Sequence, residues 1–199
     1  MKYCLDIGCG KNKRDGFIGI DQYPIEGVDA VCDLSVAQWW FDREIVPGSK
    51  KQLLEEGVPR YMLPDNCIDE VYCSHFLEHL TALQRVLFMN ELFRVLKPSS
   101  QARIITPHWA SNRAYGDFTH QWPPVSEMYY YYLSADWRAS EVPHTDMRWN
   151  KLGFSCNFQA TWEYLIRQDL AGQSRESQIF AIQNYKEVVL DLCATITKL

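Results

Sequence analysis

Five short apolar segments between residues 3 and 105 each run into polar residues, and this pattern constrains the fold more than any other feature. Tyr3-Cys4-Leu5-Asp6-Ile7 enters Gly8-Cys9-Gly10, and Phe17-Ile18-Gly19-Ile20 ends at Asp21. Residues 28–31 reach Cys32-Asp33, residues 68–73 meet Ser74-His75, and residues 102–105 stop at Thr106-Pro107-His108. Strands this short and branched, with polar residues gathered at their C-terminal ends, predict an α/β fold around an open parallel sheet. Leu83, Val86, Leu87, Leu92, Phe93 and Leu96 recur at three- and four-residue spacings, which predicts a crossover helix over residues 83–96 ended by Lys97-Pro98. Two further strands, residues 154–160 and 188–196, are expected as an antiparallel edge pair.

Two stretches break the alternation. Residues 39–62 combine aromatic residues, Pro47-Gly48 and a helical-looking segment at 50–56, and are expected to form an inserted loop with one short helix. Residues 108–143 hold Trp109, Tyr115, Trp122, Tyr129 to Tyr132 and Trp137, too long and too aromatic for an ordinary strand connection. This second insert is expected to form an aromatic-rich internal cap over the C-terminal edge of the sheet, its rival being a second apolar subcluster. With no internal repeat, residues 1–199 are expected to form one domain.

Composition narrows the function. The 20 Lys and Arg against 25 Asp and Glu give a net charge of −5, so no global basic field favours a nucleic-acid backbone or an anionic membrane. No apolar run approaches a membrane span, and the first residues do not resemble a secretion signal. Seven cysteines without a C-x-x-C pair read as reduced core thiols of a cytoplasmic protein rather than a disulfide or zinc framework.

Residues at the ends of successive parallel strands converge in space. Gly8 and Gly10 allow close backbone approach to a ligand, while Asp21 can receive both hydroxyls of a ribose. Asp33 can accept from an exocyclic amine, with Ser74 and His75 across the central crevice. This suits a nucleoside-bearing ligand. The third glycine of G-x-G-x-x-G is absent, because position 13 is Lys, and there is no G-K-[ST] ending.

Leu5-Asp6-Ile7-Gly8-Cys9-Gly10 resembles the first motif of class I S-adenosylmethionine-dependent methyltransferases. The resemblance continues through Gly19-Ile20-Asp21, Asp33-Leu34, residues 63–71, Ser74-His75-Phe76-Leu77-Glu78-His79 and residues 92–98. These later segments are similar to the branch that includes ubiquinone and menaquinone biosynthesis enzymes. The resemblance implies a Rossmann-like, mostly parallel seven-stranded sheet with helices on both faces and the last strand antiparallel. It further implies S-adenosyl-L-methionine as cofactor. The loop of Asp6, Gly8, Cys9 and Gly10 would lie at the methionine part, Asp21 at the ribose and Asp33 near the adenine. Relative to the family pattern, some thirty extra residues follow Asp33, and the helix that commonly precedes the first strand and covers the cofactor is not found. An insert or a partner subunit in a homo-oligomer would close the pocket, or the site stays open.

Methyl transfer is an in-line displacement at a carbon activated by the sulfonium, so the protein must align the nucleophile, exclude water and accept any proton released. His108, Asp117 and His120 form the expected catalytic set, with Asp117 orienting His120 as base. They carry ligand types for a divalent metal, but their spacing matches no metal signature and hydrogen bonding accounts for them, so no metal is assigned. Glu78-His79 is not part of an H-E-x-x-H; His79 is expected to cap or brace the helix start. Trp109, Tyr115, Trp122, Tyr129 and Tyr132 are expected at the substrate, against a packing role for some. Lys11, Lys13 and Arg14 read as solvated loop charges. The function these residues support is methyl transfer to an oxygen or nitrogen of a small-molecule acceptor. The alternatives are a tRNA or protein methyltransferase and a non-catalytic S-adenosylmethionine-binding or interaction protein.

Overall fold

The computed structural model describes residues 2–54, 57–142 and 153–199. The strands are β1 (Cys4–Ile7), β2 (Ile18–Asp21), β3 (Ala30–Val31), β4 (Trp40–Phe41), β5 (Lys50–Leu53), β6 (Pro59–Met62), β7 (Ile68–Ser74), β8 (Leu96–Pro107), β9 (Phe158–Ile166) and β10 (Val189–Lys198). The helices are α1 (Ala82–Val95), α2 (Arg113–Gly116), α3 (Glu127–Tyr131), α4 (Ala135–Ser140), α5 (Gln168–Ala171) and α6 (Arg175–Asn184).

Seven strands form one sheet in the order β3-β2-β1-β7-β8-β10-β9. The first five in that order run parallel, and β10 is antiparallel to both its neighbours. The expected antiparallel pair therefore exists, but β10 sits inside it against β8, leaving β9 at the edge. The alternating exposure along β9 fits a strand with one uncovered face. Leu5, Ile7, Val71, Cys73, Ala102, Ile104, Leu192 and Ala194 are fully buried, so the central strands hold the core. All seven cysteines are free thiols. No helix among the described residues is long and apolar enough to cross a membrane.

α1 begins one residue before the expected start. Thr81 supplies a reciprocal cap: its backbone N–H donates to Gln84 Oε1 at 2.9 Å, and its hydroxyl oxygen accepts from the Gln84 backbone N–H. That cap, rather than His79, closes the helix start. The buried face also differs from the periodicity reading: Leu83 is exposed, whereas Arg85, Phe88, Met89 and Leu92 are buried. Residues 85, 88, 89 and 92 form their own i, i+3, i+4, i+7 stripe, and a guanidinium occupies a place in it.

The first insert corrects the sequence reading more strongly. Lys50–Leu53 is a strand, not a helix, and pairs antiparallel with β6 in a small sheet ordered β4-β6-β5. Lys51 Nζ lies 5.9 Å from the centroid of the facing Tyr61 ring. Cross-strand pairing with β6 overrides the helix preference of a segment made of good helix formers. Glu55 and Glu56, the end of the expected helix, lie outside the described residues. The second insert carries α2, α3 and α4, and its last residue, Pro143, is likewise outside them.

Candidate active site

The glycine loop is held from beneath. Gly8 and Cys9 donate their backbone N–H groups to the Ile20 carbonyl at 2.8 and 3.2 Å, tying the end of β1 to β2. Gly8 and Gly10 both adopt positive φ, +65° and +52°. A Cβ on Gly8 would meet Phe76 at 2.7 Å, whereas one on Gly10 would stand in open space. Asp21 Oδ2 accepts from Gly10 N–H at 3.1 Å, and its Oδ1 accepts from Tyr23 N–H at 3.2 Å, so the strand-end carboxylate also shapes the loop. Asp6 is buried and accepts from Arg14 N–H at 2.6 Å; burial raises its carboxyl above the usual range against that hydrogen bond. Burial also pushes the Cys9 thiol up to about 11. Lys13 pairs with Asp29 at 2.9 Å and Arg14 stacks 4.7 Å from the Tyr72 ring centroid, so both cations are engaged within the fold.

Two cavities flank the turn after β7. A cleft of about 170 Å³ is lined by Gln22, Asp33, Leu34, Ser35, Phe76, His79, Leu80 and Gln84. Within it, Asp33 Oδ1 accepts from the backbone and hydroxyl of Ser35 at 2.9 and 2.7 Å. A larger cavity of about 570 Å³ is lined by His75, Pro107, Arg113, Gly116, Asp117, Phe118 and His120. His75 and Pro107 lie at the C-terminal ends of β7 and β8, so this cavity opens on the strand edge where ligands of open α/β sheets bind.

The expected catalytic residues separate. Asp117 and His120 line the larger cavity together, with His120 Nε2 4.0 Å from Asp117 Oδ2. Asp117 Oδ1 accepts from the Thr119 hydroxyl and backbone at 2.6 and 2.8 Å, and these bonds hold its carboxyl below the usual range. His120 Nδ1 faces the Ala114 carbonyl at 3.3 Å, and a carbonyl only accepts, so Nδ1 carries the proton and Nε2 the lone pair. His108 stands elsewhere, buried, with Nε2 2.9 Å from Glu127 Oε1 and Nδ1 accepting from Ala110 N–H at 3.3 Å. Both its nitrogens are committed, which leaves no lone pair for a substrate proton.

The aromatic residues divide as well. Tyr129 and Tyr132 line a separate, largely apolar cavity of about 320 Å³ beside α1. Trp109, Tyr115 and Trp122 are exposed and line neither cavity described above; the Tyr115 hydroxyl donates to the Trp109 carbonyl at 2.9 Å. Ser74 ends β7 half-buried, and His75 follows at φ +53° with Nδ1 3.1 Å from Glu78 Oε1; that bond raises its pKa despite partial burial.

Arg85 organises the junction and was not singled out from the sequence. Its guanidinium donates to the carbonyls of Leu77, Glu78, Gln121 and Pro123 at 3.1, 3.3, 3.1 and 2.5 Å. Gln121 N–H donates to the Glu78 carbonyl at 2.8 Å. One buried cation thus clamps the 77–79 turn to the loop that carries His120. Arg113, which lines the larger cavity, forms a second clamp through Asp191, with Nη1 3.0 and 3.2 Å from its two oxygens. The available signal for Arg85 was its position in an apolar stripe.

Residues 5–104, half of the sequence, match the family model described as Methyltransferase domain. The chain belongs to that family. It is an S-adenosylmethionine-dependent methyltransferase, with the expected seven-stranded sheet. Among solved structures, it is similar to a SAM-dependent methyltransferase from Archaeoglobus fulgidus at 19% identity and a TM-score of 0.57, covering 99% of this chain and 86% of that one. It is also similar to SAM-dependent methyltransferases from Methanosarcina mazei at 15% identity and a TM-score of 0.52, covering 99% and 92%. Both likenesses concern the fold. No curated protein matches the sequence. The residues present fit the cofactor: the space over Gly10 is open to a ligand, with no atom within 4 Å of a Cβ placed there, and a carboxylate adjoins it at the end of β2.

Proposed function

We propose that the enzyme methylates an oxygen or nitrogen of a small molecule held in the cavity lined by His75, Arg113, Asp117 and His120. The observation that carries this reading is the size and position of that cavity. About 570 Å³ at the C-terminal edge of the sheet suits a metabolite-sized acceptor. The resemblance of residues 63–98 to enzymes of ubiquinone and menaquinone biosynthesis supports a small-molecule acceptor of the same general kind.

S-adenosylmethionine, when bound, supplies a methyl group on a positively charged sulfur. The loop of Asp6, Gly8, Cys9 and Gly10 is assigned to its methionine part, Asp21 to the ribose and Asp33 to the adenine edge, with Ser74 and His75 facing it. Asp6 contributes by fixing the loop through Arg14. Asp21 would receive the ribose hydroxyls while retaining its hold on Gly10. His120 Nε2 is assigned to take the acceptor's proton, with Asp117 beside it to favour the imidazolium. His108 is assigned to hold Glu127 and the aromatic segment rather than substrate.

The test pairs two measurements, both corrected for folded fraction: affinity for S-adenosylhomocysteine and methyl consumption across a panel of hydroxyl- and amine-bearing metabolites. His120→Ala should lower turnover by about 10²-fold while cofactor affinity changes little. Trp39→Ala, at a fully buried residue whose ring centroid is 5.4 Å from that of Phe88, should mainly disturb packing. Turnover with tRNA or protein but no metabolite would reject the small-molecule acceptor, and no turnover at all would favour a binding protein.

A further inference from the structure

Glu78, His79 and His120 each present one ligand atom, and these three atoms lie within 4.8 Å of one another. Glu78 is buried, 4% exposed, and its Oε2 has no hydrogen-bond partner among the described residues. A buried carboxylate oxygen without a partner is costly unless a cation or proton compensates it.

The neighbouring hydrogen bonds fix which nitrogen of each imidazole keeps its lone pair. Ionised Asp117 can only accept, so the Thr119 hydroxyl donates its single proton to it at 2.6 Å. The Thr119 oxygen must then accept from His79 Nδ1, 2.9 Å away, which leaves the lone pair of His79 on Nε2. His120 donates through Nδ1 to the Ala114 carbonyl, which leaves its lone pair on Nε2 as well. Neither Nε2 forms a hydrogen bond among the described residues; the closest carboxylate oxygen to His120 Nε2 is that of Asp117, at 4.0 Å. The rings meet edge to face with centroids 4.8 Å apart. Two imidazoles whose tautomers are set by outer hydrogen bonds, gathered within 4.8 Å of a buried carboxylate, match the way proteins hold metal ligands.

We propose that Glu78, His79 and His120 bind one divalent first-row transition-metal ion. Two nitrogens and one carboxylate oxygen suit manganese, iron, cobalt, nickel or zinc better than magnesium or calcium, which prefer all-oxygen sites. Ligand atoms around such an ion lie about 3.3 Å apart, so the cluster needs to close by about 1.5 Å at most. His79 lines the small cleft and His120 the larger cavity, which puts the ion between the two sites. Three protein ligands leave coordination positions open, and an acceptor with a hydroxyl or carboxylate oxygen is the class that would fill one. This goes beyond the proposed function and alters one role in it: with the ion bound, His120 Nε2 is a ligand, and a coordinated acceptor hydroxyl releases its proton to water. Arg85 supports the site by clamping the two segments that supply it.

Cobalt(II) is the probe. Tag-free protein is stripped with a chelator and titrated with cobalt chloride, following visible d–d absorption, with zinc as competitor. One cobalt per chain is expected, displaced by zinc, with affinity at least tenfold weaker in His79→Ala and in His120→Ala, and about tenfold weaker in Thr119→Val, which removes the outer hydrogen bond. Thermal melts and S-adenosylhomocysteine binding establish that each variant is folded. No absorption up to about 1 mM cobalt, thiolate charge-transfer bands in place of d–d bands, or an affinity unchanged in both histidine variants would overturn the site. Such a result with S-adenosylhomocysteine binding retained leaves the methyl-transfer reading standing, so the two fail separately.

Discussion

Arg85 Nη2 donates to the Gln121 carbonyl at 3.1 Å, joining residues 36 apart in the chain. The same guanidinium holds Leu77, Glu78 and Pro123, so the position of His120 relative to the end of β7 depends on a side chain that touches neither cavity's chemistry. Truncating it leaves four carbonyls without their charged donor in a buried place. Arg85→Ala should cost about 3 kcal/mol of stability. Urea unfolding measures this, and a loss below about 1 kcal/mol would show that water replaces the guanidinium.

Gly8 and Phe76 are in direct competition for space. A Cβ at position 8 would meet three Phe76 atoms at 2.7–2.8 Å, at a φ of +65°. Gly8→Ala should therefore weaken S-adenosylhomocysteine binding at least tenfold and destabilise the fold by about 2 kcal/mol. Adding Phe76→Ala should recover part of the binding loss by relieving the contact. Calorimetry on both variants checks this, and a single variant that binds like the parent would refute it.

Asp21 has two tasks in this geometry, the Gly10 loop and the proposed ribose pair. The parent should bind S-adenosylhomocysteine with Kd on the order of 1–100 μM. Asp21→Ala should weaken that by about 1.5–3 kcal/mol. Folded Asp21→Ala protein that binds as tightly as the parent would remove the ribose assignment.

Glu127 links the aromatic segment to acid stability. Burial opposes its ionisation, but hydrogen bonds from His108, its own backbone and Tyr164 prevail and take its pKa to about 2. Because this lies below the ordinary value of 4.5, the stabilisation is complete above about pH 4.5 and is lost as pH falls through 2. Glu127→Gln should cost about 2 kcal/mol at neutral pH after allowance for partial solvation, and should flatten the acid limb between about pH 4.5 and 2. Unfolding free energies across that window test both points, and an unchanged acid limb would refute the assignment.

The strand ends were legible because each is a local event: an apolar run of a few residues meeting Gly8-Cys9-Gly10, Asp21 or Ser74-His75. The Lys50–Leu53 strand was not, because a short charged segment suits either helix or strand until β6 lies beside it. Periodicity located α1 but not its buried face, since it counts hydrophobic residues and Arg85 is buried through hydrogen bonds. His108 and His120 looked alike in sequence. Their difference lies in what each nitrogen faces: Glu127 and Ala110 for one, Ala114 and the open cavity for the other.

By itself the sequence determined the open parallel sheet, the glycine loop with its strand-end carboxylate, and the methyltransferase family, because these follow from neighbours along the chain. Only the tertiary structure brought one ligand atom each of His79 and His120 within 4.8 Å of a carboxylate oxygen of the buried Glu78. That arrangement needs 41 residues of chain to close on itself and is fixed by hydrogen bonds that His79 donates to Thr119, His120 donates to Ala114 and Arg85 donates to Glu78. Spacing along the chain encodes none of these partners, because a hydrogen bond depends on direction in space and the loop that sets the direction is itself positioned by the buried guanidinium.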